Sequence, residues 1–407
     1  MYASKTLSGS FPKDYATLKK DISKKDLSLI KAGYSLFSKP WVQAPASTKI
    51  RDGLGPHFSA TSCISCHHNL GRGNPILKSD QVHPSLVFRL QDHQGQPDSN
   101  YGDQLTMEAN VGQTPEAQVT VKYQYIKEYY KDKSSYTLTV PSYSFNNFAY
   151  GQLDSTTTFS PRVAPHLAGL NEIEKVSLKQ VLKKNDPNDF DKDGISGKVN
   201  WIIHNKVIGR FGWKASQPTI EKQNAAAFHN DMSITSGLFP KESCAKNQTK
   251  CLKSISGGTP EINSRSLSYI TLMIKSIAPP KSHIKTKNLG AKLFKQISCH
   301  KCHTPSYTVN NNQVISPYTD LLLHDMGEGL ADGGKHTLAR EWKTPPLWGL
   351  GLQQKVNGHT RYLHDGRARS LEEAILWHDG EGSHAKNLFK SLSKRERNLL
   401  ISFIKSL

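Results

Sequence analysis

Cys63-Ile64-Ser65-Cys66-His67 decides how the rest of this 407-residue chain is read. Two thiols separated by two residues can each add to one vinyl group of a porphyrin. The histidine that follows can turn under the ring as an iron ligand, so the run is the attachment signature of a c-type haem. The same run recurs as Cys299-His300-Lys301-Cys302-His303. With 6 cysteines and 17 histidines in the chain, chance supplies only about 0.004 such runs. Two covalently bound haem c groups are therefore the working premise, with Cys63, Cys66, Cys299 and Cys302 as attachment points and His67 and His303 as iron ligands. A single four-cysteine zinc site or a redox dithiol leaves the histidine after each second cysteine unexplained.

Composition narrows the setting. The formal charge is +19, but no basic run is interleaved with aromatics, which argues against nucleic acid. A docking face for an acidic electron-transfer protein, or for an anionic surface, fits the charge better. No stretch of eighteen apolar residues exists, so no membrane span is expected. Haem attachment of this type takes place outside the cytoplasmic membrane, whereas Met1-Tyr2-Ala3-Ser4-Lys5 opens no signal-peptide core. A periplasmic protein whose leader or anchor is absent from this numbering is the expectation. Cys244 and Cys251 remain, spaced to close a small loop as a disulfide in an oxidising compartment; two free thiols are the alternative. Nothing here bears on oligomeric state.

The length allows two or three domains. Residues 1–25 are rich in Lys, Ser and Thr without periodicity and read as a tail. Residues 26–284 and 285–407 each contain one motif, each preceded by a helical pattern: Leu27, Ile30, Gly33, Tyr34, Phe37 in the first, Leu289-Gly290-Ala291-Lys292-Leu293-Phe294 in the second. A glycine followed by an apolar-aromatic pair just before the haem motif resembles the first helix of cytochrome c domains. The fold expected is mainly α, two cytochrome c-like haem domains, the first carrying insertions. From about 84 to 160 the pattern turns to β, as in Val119-Thr120-Val121-Lys122-Tyr123 and Tyr136-Thr137-Leu138-Thr139-Val140, either a pocket wall or a partner-docking surface. From about 185 to 200 an acidic loop places Asp189, Asp191 and Asp193 at alternate positions before Gly194, a pattern suited to calcium, although Asn200 stands where an EF-hand has a bidentate Glu.

An internal repeat is visible too. Ser160-Pro161-Arg162-Val163-Ala164-Pro165-His166-Leu167-Ala168-Gly169-Leu170 is echoed by Thr344-Pro345-Pro346-Leu347-Trp348-Gly349-Leu350. Gly212-Trp213-Lys214-Ala215 and the helix after it are echoed by His364-Asp365-Gly366-Arg367-Ala368-Arg369 and Ser370 to Trp377. Duplication of a haem-binding unit explains the order.

With CISCHHNLGRG, DKDGISG, GRFGWKA, YTDLLLHDMG, TPPLWGLG and LHDGRA in place, the chain resembles the bacterial di-haem cytochrome c peroxidases and their relatives, the di-haem oxidoreductases. The resemblance implies peroxide chemistry at one haem and electron entry through the other. Aligned with the Phe-Trp-Asp-Gly-Arg-Ala segment of the peroxidases, Trp213 takes the bridging position, Gln223 that of the pocket glutamine, and Asp231, with shorter spacing, that of the acid. A solvated helix face is the plainer account of Gln223 and Asp231. For the second haem, His378 stands where the peroxidases have methionine; Met326 competes. For the first haem, His83 is a candidate sixth ligand, against an open site or water.

The function expected is a periplasmic di-haem oxidoreductase reducing hydrogen peroxide at the N-terminal haem, fed by a small redox protein. An enzyme that oxidises residues of a partner protein and a non-enzymatic di-haem electron carrier are the alternatives.

Overall fold

The computed structural model describes residues 15–76, 81–284, 288–333 and 338–407; the first fourteen residues of the expected tail lie outside them. Helix Lys24–Ser38 begins where the Ser23 hydroxyl accepts the Asp26 amide, satisfying a donor that a first turn leaves open. Gly33 on this helix allows close approach to helix Ser264–Lys275, since a Cβ there would lie 2.1 Å from the Tyr269 carbonyl oxygen. The second motif is preceded by the same device. Helix Leu289–Gln296 crosses helix Lys394–Lys405 at Gly290, where a Cβ would lie 2.3 Å from the Leu399 carbonyl oxygen. Each crossing brings an aromatic ring to the motif histidine: Phe37 at 6.3 Å from His67 and Phe294 at 6.4 Å from His303, between centroids.

The expectation of a mainly α chain built from two cytochrome c-like domains is not met. About 30% of the chain is helix and 20% strand, and thirteen strands form six small sheets among the described residues. Strands are not confined to the expected insertion. Trp201–Ile203 pairs with Val207–Ile208, Tyr307–Thr308 with Val314–Ile315, and Leu323–Asp325 with Glu341–Lys343. Long connections buried against the core must satisfy their backbone N–H and C=O groups. Ladders of two or three residues do this and are too short to leave a period of two in the sequence.

The stretch read as one β-rich insertion contributes to three sheets, the smallest being Glu108–Ala109 paired with His57–Phe58. Leu86–Gln91 is the centre of a three-stranded sheet with Gln104–Leu105 and Thr158–Val163. Gln118–Tyr129 pairs with Ser135–Asn146 in a separate long hairpin. At its base Val119 and Val121 join Phe88 and Leu105 in an apolar cluster. Its far end lies on the C-terminal helices: the Arg397 guanidinium sits 3.7 Å over the Tyr130 ring, and the Tyr130 hydroxyl donates to Glu372 at 2.8 Å.

Residues 15–19 are packed rather than tail-like. Tyr15 and Leu18 are 1% and 3% exposed, and Leu18 bridges Ile277. The largest apolar cluster combines Tyr15, Phe37 and Phe228 with Leu321, Leu322 and Trp348, so the core runs across position 285. No helix among the described residues is long and apolar enough to cross a membrane.

Candidate functional site

One cavity of about 630 Å³ is lined by Cys63, Cys66 and His67 together with Cys299, Cys302 and His303. Each motif is a single tight turn, closed by the His67 amide on the Cys63 carbonyl and the His303 amide on the Cys299 carbonyl, both at 2.9 Å. The His67 Nδ1 lies 2.7 Å from the Pro165 carbonyl oxygen, and the His303 Nδ1 lies 3.0 Å from that of Tyr318. A carbonyl only accepts, so each ring holds its proton on Nδ1 and keeps the Nε2 lone pair for a metal. Burial pushes both imidazoles down to about 4, which keeps them neutral, as a ligand must be.

The competing readings of the cysteines fail on geometry. All four are unpaired, and burial pushes the Cys63 and Cys299 thiols up to about 12, which makes poor redox nucleophiles. They do not converge on a shared metal. Cys302 does approach Asp320 and His324, but the two nitrogens of His324 lie 2.8 Å from Asp320 and 2.6 Å from Glu381. Although burial opposes it, the Asp320 carboxylate above all holds His324 protonated well above the usual imidazole range. A doubly protonated ring has no lone pair to give.

His378, at the end of helix Leu371–Leu376, faces His303 with ring centroids 6.5 Å apart and planes at 48°. Its Nδ1 is held by the Ala374 carbonyl oxygen at 2.8 Å. Two imidazoles that bind one metal at about 2.0–2.1 Å each have ring centres roughly 6 Å apart. The spacing therefore fits one iron between the two Nε2 atoms. Met326 lines the same cavity.

Among the described residues no second imidazole faces His67. His83 does not line the cavity: its Nδ1 accepts the Ser85 amide at 3.1 Å and meets the Ser85 hydroxyl at 2.9 Å. The turn through Pro84 leaves Ser85, not His83, on the cavity wall. Helix Ile220–Met232 instead turns Gln223 and Asp231, two turns apart on one face, towards the cavity. Asp231 Oδ1 accepts from Gln104 Nε2 at 3.0 Å. Burial raises its carboxyl above the usual range, with Gln104 and Arg89 pulling the other way. After burial, Asp231 is the next influence that raises the Cys63 and Cys66 thiols, which places it beside the first motif. Gln223 Oε1 is buried without a partner.

Trp213 stands in the same wall. Its indole N–H donates to the Val163 carbonyl at 2.8 Å, its carbonyl accepts the Lys343 amide at 2.9 Å, and the Arg72 guanidinium lies 5.3 Å over its ring. Arg72 and Lys343 also line the cavity, with 7% and 9% exposure. Arg72 Nε is unpartnered, and no ion pair of Lys343 exists among the described residues. Burial pushes Lys343 down to about 8. Asp365 acts favourably on Arg72 and Asp320 on Lys343, but neither cation makes an ion pair among the described residues; buried charges without such a pair are costly, and the propionates of two haems would supply one. Thiols, neutral imidazoles and stranded cations all fit the group.

A family model described as "Di-haem oxidoreductase, putative peroxidase" matches residues 108–407. The chain belongs to the di-haem oxidoreductases. The matched region holds the second motif, Trp213, Gln223, Asp231 and His378, and the first motif precedes it. No curated protein matches the chain. Among solved structures, Kuenenia stuttgartiensis hydrazine synthase pressurised with 20 bar xenon aligns over 100% of this chain and 99% of its own, at 12% identity and a TM-score of 0.35, a likeness that carries no argument.

In this di-haem oxidoreductase the repeat is a repeat of backbone. Phe211 bridges Gln217 as Tyr362 bridges Ala368. Both seven-residue turns place left-handed residues at the same steps, Gly212 (φ 78) and Ala215 (φ 48) in one, Leu363 (φ 68) and Gly366 (φ 74) in the other. That register makes His364 the counterpart of Trp213. Its carbonyl accepts the Val163 amide at 2.6 Å, so both turns grip Val163, and its ring stacks on Trp342 at 3.7 Å. Sequence reasoning quoted His364 within the repeat without giving it a place in the cavity.

The acidic loop rests against the second motif. Asp193 pairs with Lys301 at 2.9 Å, and the Ser196 hydroxyl donates to Glu381 at 2.8 Å. Asp189 and Asp191 converge with Asp186 rather than with Asp193, and Asp186 Oδ1 is buried without a partner. Asp186 lies ahead of the alternating run, which is why the pattern missed it. Cys244 and Cys251 are joined as a disulfide.

Proposed function

We propose that this di-haem oxidoreductase reduces hydrogen peroxide at a haem c attached to Cys63 and Cys66 with His67 as ligand. Cys299 and Cys302 would attach a second haem c, His303 and His378 would hold its iron, and that group would supply the entry point for electrons. The observation that carries this reading is the inequality of the two sides: His378 faces His303 at 6.5 Å, whereas no second imidazole ring faces His67 among the described residues, and Gln223 and Asp231 line the cavity beside the first motif.

When bound, the haem supplies the iron that takes up peroxide and exchanges electrons. The chain's own side chains do the rest. Asp231 carries a proton from the inner to the outer peroxide oxygen, as a carboxyl raised by burial is suited to do. The unpartnered Gln223 Oε1 accepts a hydrogen bond from peroxide or water and holds it in place. Trp213, cradled between Arg72 and the Lys343 segment, is the aromatic relay between the two haems. The net change is H₂O₂ + 2 H⁺ + 2 e⁻ → 2 H₂O.

The donor is a small acidic redox protein, in keeping with the charge of +19. None of the hairpin 118–146 lines the cavity, which favours docking over pocket wall for that element. Haem attachment of this kind places the protein in the periplasm. Asp186, Asp189 and Asp191 form the calcium site, with Asp193 given over to Lys301. Steady-state consumption of peroxide by the holoprotein with an artificial donor tests the reading. Absence of any peroxide-dependent spectral change in the half-reduced protein overturns it.

A further inference from the structure

A second cavity, of about 470 Å³, lies behind the wall that holds Asp231. Gln104 and Asn230 line both cavities. Gln104 Nε2 donates to the Asp231 carboxylate and to the Asn230 carbonyl, each at 3.0 Å, and its Oε1 accepts from Arg89 Nη1 at 3.3 Å. One tethered amide therefore partitions the two spaces. The second cavity is polar, with Glu116, Glu242, His57 and His229 in its walls and exposed Asp103 and Lys246 at its margin. His229 Nδ1 and Glu242 Oε2 are buried with no partner in the protein. Buried polar atoms facing a space of this size are satisfied by water.

Moving a proton from the inner to the outer peroxide oxygen returns Asp231 to its starting state, so the two protons that the net reaction consumes must come from solvent, and Asp231 is the acid placed to hand them on to the oxygen that remains. Haem would fill the cavity between the two motifs when bound, whereas the polar chamber has exposed Asp103 and Lys246 at its margin. We propose that this chamber is the proton entry to Asp231: protons cross its water by way of Glu242 and Glu116 and reach Asp231 at the Gln104 partition. The inference rests on the peroxide-reducing reading. Both electrons come from the donor protein, and both protons come from solvent through the chamber.

The setting of the two acids supports the role. Glu116 accepts the Thr106 amide at 2.7 Å and the Thr106 hydroxyl at 2.8 Å on one oxygen. Its other oxygen accepts the Gln248 amide and lies 3.9 Å from His57 Nδ1. Burial holds Glu116 up to about 7, with Asp98 adding to it; burial and Glu261 do the same for Glu242. Each can give and take a proton near neutrality. His57, pushed down to about 4 by burial, stays neutral beside them.

The test uses the ferric and turning-over holoprotein with the variants E116Q, E242Q and the pair. Two rates are read from pH 5 to 9: peroxide turnover with an artificial donor, and association of cyanide with the ferric protein, in which hydrogen cyanide must leave its proton on the distal acid. The expected result is a fall of about tenfold or more in both rates for the double variant at pH 8, with small weak acids restoring them and E242D near wild type. Unchanged haem spectra establish that the variants are folded; if the pair is not, the single variants decide. Rates within twofold of wild type overturn the proposal. Slowed cyanide association in a protein that never turns over peroxide overturns the peroxide reading and leaves the chamber standing. A wild type that does neither overturns both.

Discussion

The imidazoles of His303 and His378 face one another with centroids 6.5 Å apart, each anchored through Nδ1 on a backbone carbonyl. Bis-imidazole ligation lowers a haem potential relative to a thioether. His378→Met is therefore expected to raise the potential of the C-terminal haem, readable by spectroelectrochemistry because axial ligands span roughly 0.8 V. His378→Gly is expected to open that haem to cyanide. A potential unmoved by either change would assign the sixth ligand elsewhere.

Asp231 carries the proton-transfer claim. Asp231→Asn keeps the shape and the hydrogen bond from Gln104 but cannot shuttle a proton, so kcat for peroxide should fall by about 10²–10⁴. The spectrum of the His303–His378 haem should not change. A loss below threefold would return Asp231 to the role of a helix-face residue.

Lys343 is a buried, cavity-lining cation that makes no ion pair among the described residues, with Asp320 the carboxylate that acts on it. A buried positive charge favours the reduced state of a nearby centre. Lys343→Met is expected to lower the potential of at least one haem while leaving both attached. Potentials identical to wild type would show that its ammonium faces no haem edge.

Glu116 also makes a stability prediction. Its carboxyl is ordinarily near 4.5 and is raised to about 7 in the fold by burial. Below pH 4.5 it is protonated folded or unfolded, and its contribution is fully present. As pH rises towards and through about 7 the folded state must hold a proton that the unfolded chain releases, and stability is lost at up to about 1.4 kcal/mol per pH unit. Glu116→Gln escapes this loss, so its melting temperature relative to wild type should climb between pH 5 and pH 8. A difference that stays flat over that window contradicts the buried, proton-holding state.

What the sequence made legible was chemistry carried by short spacing. The two motifs and the glycine crossings at Gly33 and Gly290 can be read from residues that lie within a turn or two of one another, whereas Gln223, Asp231 and His378 come into view only through the resemblance to the di-haem peroxidases. What it hid depends on contacts between distant segments. Gln104 sits on a two-residue strand with no period, Lys343 on one of three, and Asp186 outside the run that marks a calcium loop. His83 looked usable by spacing from His67, but Ser85 captures its ring. The mainly α expectation failed for the same reason, because ladders of two or three residues organise the connections without any local signature.

EPR of the fully ferric holoprotein, with and without cyanide, bears most directly on the inequality of the two haems. The account predicts one low-spin bis-imidazole signal that cyanide leaves untouched and a second signal that cyanide converts. Two low-spin signals, both indifferent to cyanide, would contradict it and describe an electron carrier instead.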